Sequence, residues 1–192
     1  MSEIVAREFD DAAMALRAFN ADKDNAARVE RLAQACAESI RSGGKILAIG
    51  NGGSCADAMH LCEELTGRYR GDRPPIPALA CIDPGHLTCT ANDYGFERVF
   101  SRWVEGLGQE GDVLVALSTS GNSANIVRAV EVAKGKGMTI ALLLGKDGGA
   151  LKDQGDYEWI APGQTSDRIQ EIHMLVLHAL VGAIERAMGY AD

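Results

Sequence analysis

From about residue 45 onward, short apolar runs alternate with longer stretches in which apolar residues recur every three or four positions. The runs KILAIG (45 to 50), IPALACI (76 to 82), DVLVALS (112 to 118), TIALLLG (139 to 145) and YEWIAP (157 to 162) are bounded by turn residues. Successive apolar residues in such short runs predict strands of a parallel sheet, buried on both faces. Helical spacing over about 53 to 67, 96 to 107, 123 to 136 and 166 to 188 predicts the crossovers between them. Two further helical patterns open the chain, Ile4 to Phe19 and Asn25 to Arg41, and Gly43 with Gly44 stops the second. The first is expected to cap the domain or to pack on another subunit. Strands alternating with helices give an α/β fold, a doubly wound five-stranded parallel sheet flanked by helices, with an N-terminal helical region over about 1–42. The sharpest loop signal, GDRPPIP at 71 to 77, reads as a connection into the second strand. With no repeat and no linker, residues 1–192 are expected to form one domain.

In sheets of this kind ligands bind beyond the carboxyl ends of the strands, where the chain turns into helix N-termini. Two turns fall at that edge, GNGGS after the first strand and STSGNSAN after the third. In the second, Ser118, Thr119, Ser120 and Ser123 surround Gly121, so hydroxyls and free N-H groups can hold a phosphate with no lysine. The alternative is a capped helix start, with Ser120 or Asn122 as N-cap. Neither turn fits the Walker or the dinucleotide pattern. Gly50, Gly52 and Gly53 suit a turn of positive φ or a close backbone approach, and Asn51 and Ser54 add donors, Ser54 being equally a helix cap.

His60 and Glu64 stand one helical turn apart just behind GNGGS, so both can address one atom, as catalytic groups, as metal ligands or as an exposed ion pair. The last helix carries Asp167, Gln170, Glu171, His173 and His178. At about 100° per residue Glu171 shares a stripe with His178, Gln170 stands roughly 80° away and His173 about 140° away. Periodicity therefore prefers Glu171 as the partner of His178. Arg68, Arg70 and Arg73 form the one local basic cluster, suited to a substrate phosphate or to pairing with acids. Asp93, in ANDYGF, is expected on a loop near the site or in a turn.

A net charge of -8 argues against binding nucleic acid or an anionic membrane surface. No stretch approaches a membrane span, and the N-terminus lacks the basic start and apolar run of a signal peptide. The five cysteines, Cys36, Cys55, Cys62, Cys81 and Cys89, form no CxxC pair, which fits reduced thiols in a cytoplasm.

Taken together, GNGGS, HLCEELTGRYR, ANDYGFERVFSR, EGDVLVALSTSGNSANI and RIQEIHMLVLH resemble the phosphoheptose isomerases of the sugar isomerase (SIS) superfamily, in order and over nearly the whole length. The resemblance implies conversion of sedoheptulose 7-phosphate to D-glycero-D-manno-heptose 7-phosphate, the first step toward the ADP-heptose of bacterial lipopolysaccharide core. It implies a homotetramer with sites at subunit interfaces, and a zinc ion held by His60, Glu64, Gln170 and His178. It favours Gln170 over the Glu171 of the helical wheel. It further implies Glu64 and His178 as the acid/base pair and Ser118, Thr119, Ser120 and Ser123 around the phosphate. Asn51, Gly52, Gly53, Ser54, Arg68, Asp93, Asp167 and Gln170 would complete the substrate pocket. Cys55 departs from the family at a variable position. Two rivals share the phosphate loop: a noncatalytic phosphosugar-binding regulator, which has no need of Glu64 and His178, and an isomerase of another phosphosugar such as an arabinose phosphate.

Overall fold

The computed structural model describes residues 2–191. The elements are α1 (Ser2–Ala21), α2 (Asp24–Arg41), β1 (Ile46–Gly50), α3 (Gly53–Thr66), β2 (Ala78–Ala80), α4 (Pro84–Tyr94), α5 (Val99–Leu107), β3 (Val113–Ser118), α6 (Ala124–Gly135), β4 (Thr139–Gly145), β5 (Tyr157–Ala161) and α7 (Ser166–Ala187). Single 3-10 turns at Phe96–Arg98 and Gly149–Leu151 complete them. All strand pairs are parallel, in the order β2-β1-β3-β4-β5. This is the five-stranded doubly wound sheet that the apolar runs predict.

Alternation along each strand feeds two cores. Ile46, Ala48, Val113, Val115, Leu117 and Leu143 point to the layer of α2, α3 and α7. Leu47, Ile49, Leu114, Ala116, Leu142 and Leu144 point to the layer of α5 and α6. Each fully buried leucine or isoleucine contributes about 1.5–3 kcal/mol relative to exposure, so both faces of the sheet are fixed against slipping by one residue. Because β1 and β3 are neighbours whose following helices leave to opposite faces, their carboxyl ends form the switch point of the sheet.

Two elements depart from the sequence expectation. The second strand is Ala78–Ala80, shorter than residues 76 to 82, because it pairs only with β1 at the sheet edge and Pro75 and Pro77 bring no N-H to a ladder. Helix α4 was not expected. Its sequence, PGHLTCTANDY, packs only Leu87 and Ala91 on the core, too few to show a periodic stripe. Its start signal is nevertheless present: Pro84 is in the first turn and the Asp83 carboxylate accepts the His86 N-H at 2.6 Å. Asp93 consequently lies in the last turn of α4, exposed, and not on a loop.

Candidate active site and metal centre

The two glycine turns follow β1 and β3 at the carboxyl edge of the sheet. At the start of α3, Gly52 takes φ +55°, and a Cβ on Gly53 would lie 2.6 Å from the Gln170 side-chain oxygen. Glycine at 53 therefore lets α7 approach the first turn of α3. Ser54 is buried within that turn and is no cap; its Oγ accepts from Gln170 Nε2 at 3.3 Å. Asn51 and Asn125 exchange two amide hydrogen bonds of 2.9 Å, tying the turn after β1 to the first turn of α6.

In the turn after β3, Gly121 takes φ +64°, and a Cβ there would meet the Gly148 carbonyl oxygen at 1.8 Å. Only glycine fits. Ser118 Oγ accepts from the Gly121 N-H at 3.1 Å, and Ser120 Oγ accepts from the Asn122 N-H at 3.2 Å. Thr119 Oγ1 is 3.1 Å from Ser166 Oγ, which brings the start of α7 to the same edge. Ser123 occupies the N-cap position of α6, with no capping bond from its side chain, so neither Ser120 nor Asn122 caps the helix. Asn122 instead bonds the Ser120 carbonyl and the Ala150 N-H, bracing the loop from behind. Hydroxyls grouped at an uncapped helix N-terminus are an anion cradle.

Along α3, Glu64 is 7% exposed and projects toward α7. Its Oε1 lies 3.3 Å from His60 Nε2 and 3.5 Å from His178 Nε2. Its Oε2 is buried with no hydrogen-bond partner. The spacing of His60 and Glu64 is therefore not that of an exposed helical ion pair, because the carboxylate is shared with an imidazole of a second helix. One donor atom from each of His60, Glu64 and His178 falls within 4.8 Å of the others, a possible metal-binding site. Two imidazoles and a carboxylate with an orphaned oxygen suit a divalent transition ion with an open position.

His178 is held as well as approached. Tyr69 stacks on its imidazole at 5.9 Å between centroids and 15° between planes, and His60 meets it edge-on at 5.1 Å. The Arg70 guanidinium in turn lies 4.9 Å over Tyr69. Tyr69 went unremarked in the sequence, although it sits inside GRYR, between two arginines of the basic cluster. Asp57, one turn before His60, was missed too. Its half-buried carboxyl, with Oδ2 unpartnered, is pushed up to about 6 by burial, with His60 pulling the other way.

The remaining residues sort by place. Gln170 lies on Gly53 and Ser54, eight residues and about 12 Å along the axis before His178. Glu171, the wheel's preferred partner for His178, is exposed and pairs with Arg168 at 2.8 Å, while His178 finds its carboxylate on α3. The single-helix wheel fails because the partner comes from across the helix interface. His173 belongs to the core: its Nε2 is 2.8 Å from the Leu144 carbonyl, and burial pushes the imidazole down to about 4. It is neutral at pH 7 and fastens α7 to the end of β4. Asp167 is exposed, with the Thr165 hydroxyl holding its carboxyl below the usual range. Arg68 is exposed just past α3, and Asp93 comes from the opposite layer of the sheet. Arg73 turns inward to one acid, Glu185, and to backbone carbonyls.

Comparison with known proteins agrees with this geometry. The SIS domain family model matches residues 9–145. The phosphoheptose isomerase of Fusobacterium nucleatum is 53% identical over 173 residues, which is 90% of this chain and 89% of that one. The structure of a phosphoheptose isomerase from Francisella tularensis superposes with a TM-score of 0.90 at 33% identity, covering 96% of this chain and 97% of the other. That from Neisseria gonorrhoeae gives 0.86 at 39% identity, covering 96% and 98%. With likeness of this depth running through the sheet, both glycine turns and the helices that carry the imidazoles, the chain belongs to the SIS domain family and, within it, to the phosphoheptose isomerases.

Proposed function

We propose that the protein converts sedoheptulose 7-phosphate to D-glycero-D-manno-heptose 7-phosphate through an enediolate, the opening step toward ADP-heptose and the lipopolysaccharide core. The observation that carries this reading is the Glu64 carboxylate, with one oxygen between two imidazoles and the other buried and free. Oε1 is engaged by His60 and His178, and the Glu64 carboxylate is the group able to take the proton from C1, beside the ketone. His178, within reach of the same space, serves the oxygens and the return of a proton at C2. Ser118, Thr119, Ser120 and Ser123 hold the phosphate at the start of α6, and the ordered glycine turns keep that end fixed while the carbon end reacts.

Zinc is the ion we propose for His60, Glu64 and His178, with Gln170 as the fourth ligand once its amide leaves Ser54. Bound there, it would act as a Lewis acid on the carbonyl oxygen. Asn51, Gly52, Gly53, Ser54, Arg68, Asp93, Asp167 and Gln170 are proposed to line the sugar chain. The whole chain acts as one SIS domain. Asp93, from the other layer of the sheet, suits a site built between protomers of a homotetramer. The exposed Ile4, Val5 and Phe9 on α1 support such an assembly. No described helix is long and apolar enough to cross a membrane, and all five cysteines are free thiols; together these support a cytoplasmic place.

The pair Glu64 and His178 disfavours a noncatalytic phosphosugar binder, which needs only the serine loop. Competing ketose phosphates test the substrate. Sedoheptulose 7-phosphate is expected to turn over with kcat/KM at least about 100-fold above ribulose 5-phosphate, the ketose partner of an arabinose phosphate. Equal or reversed preference would reject the heptose assignment.

A further inference from the structure

Helix α3 ends at the surface, where Thr66 and Gly67 are exposed, and a buried charged side chain outside the reacting group holds the carbonyls just behind that end. An α-helix leaves its last carbonyls without intrahelical partners. Here the Glu63 carbonyl accepts from the Gly67 N-H at 2.7 Å, the Glu64 carbonyl accepts from Arg73 Nη2, and the Leu65 carbonyl accepts from both Arg73 Nη1 at 2.6 Å and the Ile76 N-H at 2.9 Å. Arg73 Nε donates to Glu185 Oε1 on α7 at 2.9 Å. The side chains of this pair are 2% and 4% exposed.

A buried ion pair adds little net stability, since desolvation offsets attraction, and well-packed apolar residues often replace it without loss. What it does supply is direction. The planar guanidinium bonds two carbonyls of α3 and one carboxylate of α7 at fixed angles, which a greasy contact cannot do. The two helices run side by side in parallel: Gln170 meets Ser54, His178 meets Glu64, and Glu185 meets the end of α3 through Arg73. The reacting carboxylate and its imidazole thus sit on the two bodies that Arg73 joins, and Arg73 grips the backbone of Glu64 itself.

We propose that the Arg73–Glu185 pair is a positioning device that sets the register of α3 against α7, and so the distance of Glu64 from His178. The pair touches no substrate. The proposal rests on the isomerase reading above, and the two fail separately, because one of the readouts needs no turnover.

The experiment compares the full-length wild-type protein with Glu185→Gln and with the double variant Arg73→Met/Glu185→Leu. Truncating one partner alone would leave a buried charge with no hydrogen-bond partner and threaten folding; the double variant replaces both with apolar groups of similar volume. Glu185→Gln keeps an acceptor for Arg73. The first readout is kcat and KM on sedoheptulose 7-phosphate, beside thermal melts. The second is the NOE between the Cε1 protons of His60 and His178 in protein labelled at its four histidines, read without substrate. Positioning predicts kcat down at least about tenfold in the double variant, KM within about threefold, a folded protein whose melting temperature falls by about 2–12 °C for the Glu64 carbonyl that loses its donor, and a weakened NOE; Glu185→Gln keeps kcat within about threefold. A double variant with wild-type kcat and an intact NOE overturns the proposal, as does a Glu185→Gln protein that loses as much kcat as the double variant. Inactive wild-type protein would reject the isomerase reading instead, leaving the NOE to decide the register.

Discussion

Replacing Glu64 by Gln separates the chemistry of the site from its architecture, because the amide has nearly the volume of the carboxylate but cannot serve as a base. General base catalysis contributes about 10²–10⁴ in rate, so kcat is expected to fall at least about 100-fold. KM should stay within about threefold, since the site proposed for the phosphate is at the start of α6 and not on α3. Stability should move the other way. Glu64 Oε2 is buried without a partner, an arrangement that costs about 1–3 kcal/mol for a polar group and more when it is charged. With chelator present, the neutral amide is therefore expected to leave the protein at least as stable as wild type. Each 1 kcal/mol gained would raise the melting temperature by about 2–4 °C in a chain of this size. With excess zinc the order reverses: ligand at 100 times its Kd stabilises by about 2.7 kcal/mol, and the variant loses most of that. The assays are steady-state isomerisation and thermal melts with and without metal. Retention of kcat within tenfold would refute Glu64 as the base; a fall of more than about 5 °C in chelator would show that the carboxylate holds the fold together and that lost activity says little about chemistry.

Other outcomes follow from neighbouring residues. His173 titrates near 4 when folded against about 6.5 unfolded, so its contribution is full above pH 6.5 and is lost as pH falls toward 4; acid melts should show that loss, on the order of 3 kcal/mol, and His173→Gln should flatten it. Gly121→Ala puts a Cβ against the Gly148 carbonyl and keeps a positive φ, so it should destabilise by about 1–3 kcal/mol or more and raise KM above all, checked by melts and initial rates; unchanged KM would remove this loop from phosphate binding. Asn125→Ala deletes both amide bonds to Asn51, and denaturant unfolding should show a loss of about 2 kcal/mol.

The sheet was legible in the sequence because burial on both faces leaves continuous apolar runs with clear ends: β4 begins and ends at the expected residues 139 and 145, and β3 differs by one. Helix α4 was not, since it is fastened by a cap and a proline and shows almost no apolar stripe. Edge strand β2 was overread because Ile76 and Ile82 are apolar yet lie outside its ladder. At the site, His60 with Glu64 was legible as one helical turn, whereas the addition of His178 is a tertiary fact: two parallel helices in a particular register bring it there, and family resemblance alone pointed to it beforehand. Tyr69 and Arg73 carry no spacing signal at all. In sequence they belong to a basic cluster; in the fold one stacks on an imidazole and the other closes a helix end.

Proton NMR of sedoheptulose 7-phosphate with the protein in deuterated water, with and without chelator, tests the central claim most directly. An enediolate isomerase forms the aldose with deuterium at C2, and chelator is expected to slow or abolish this by stripping the metal proposed for His60, Glu64 and His178. Substrate that remains unchanged and unlabelled, bound to a folded protein with its metal supplied, would contradict an enediolate isomerase and leave a phosphosugar-binding protein in its place.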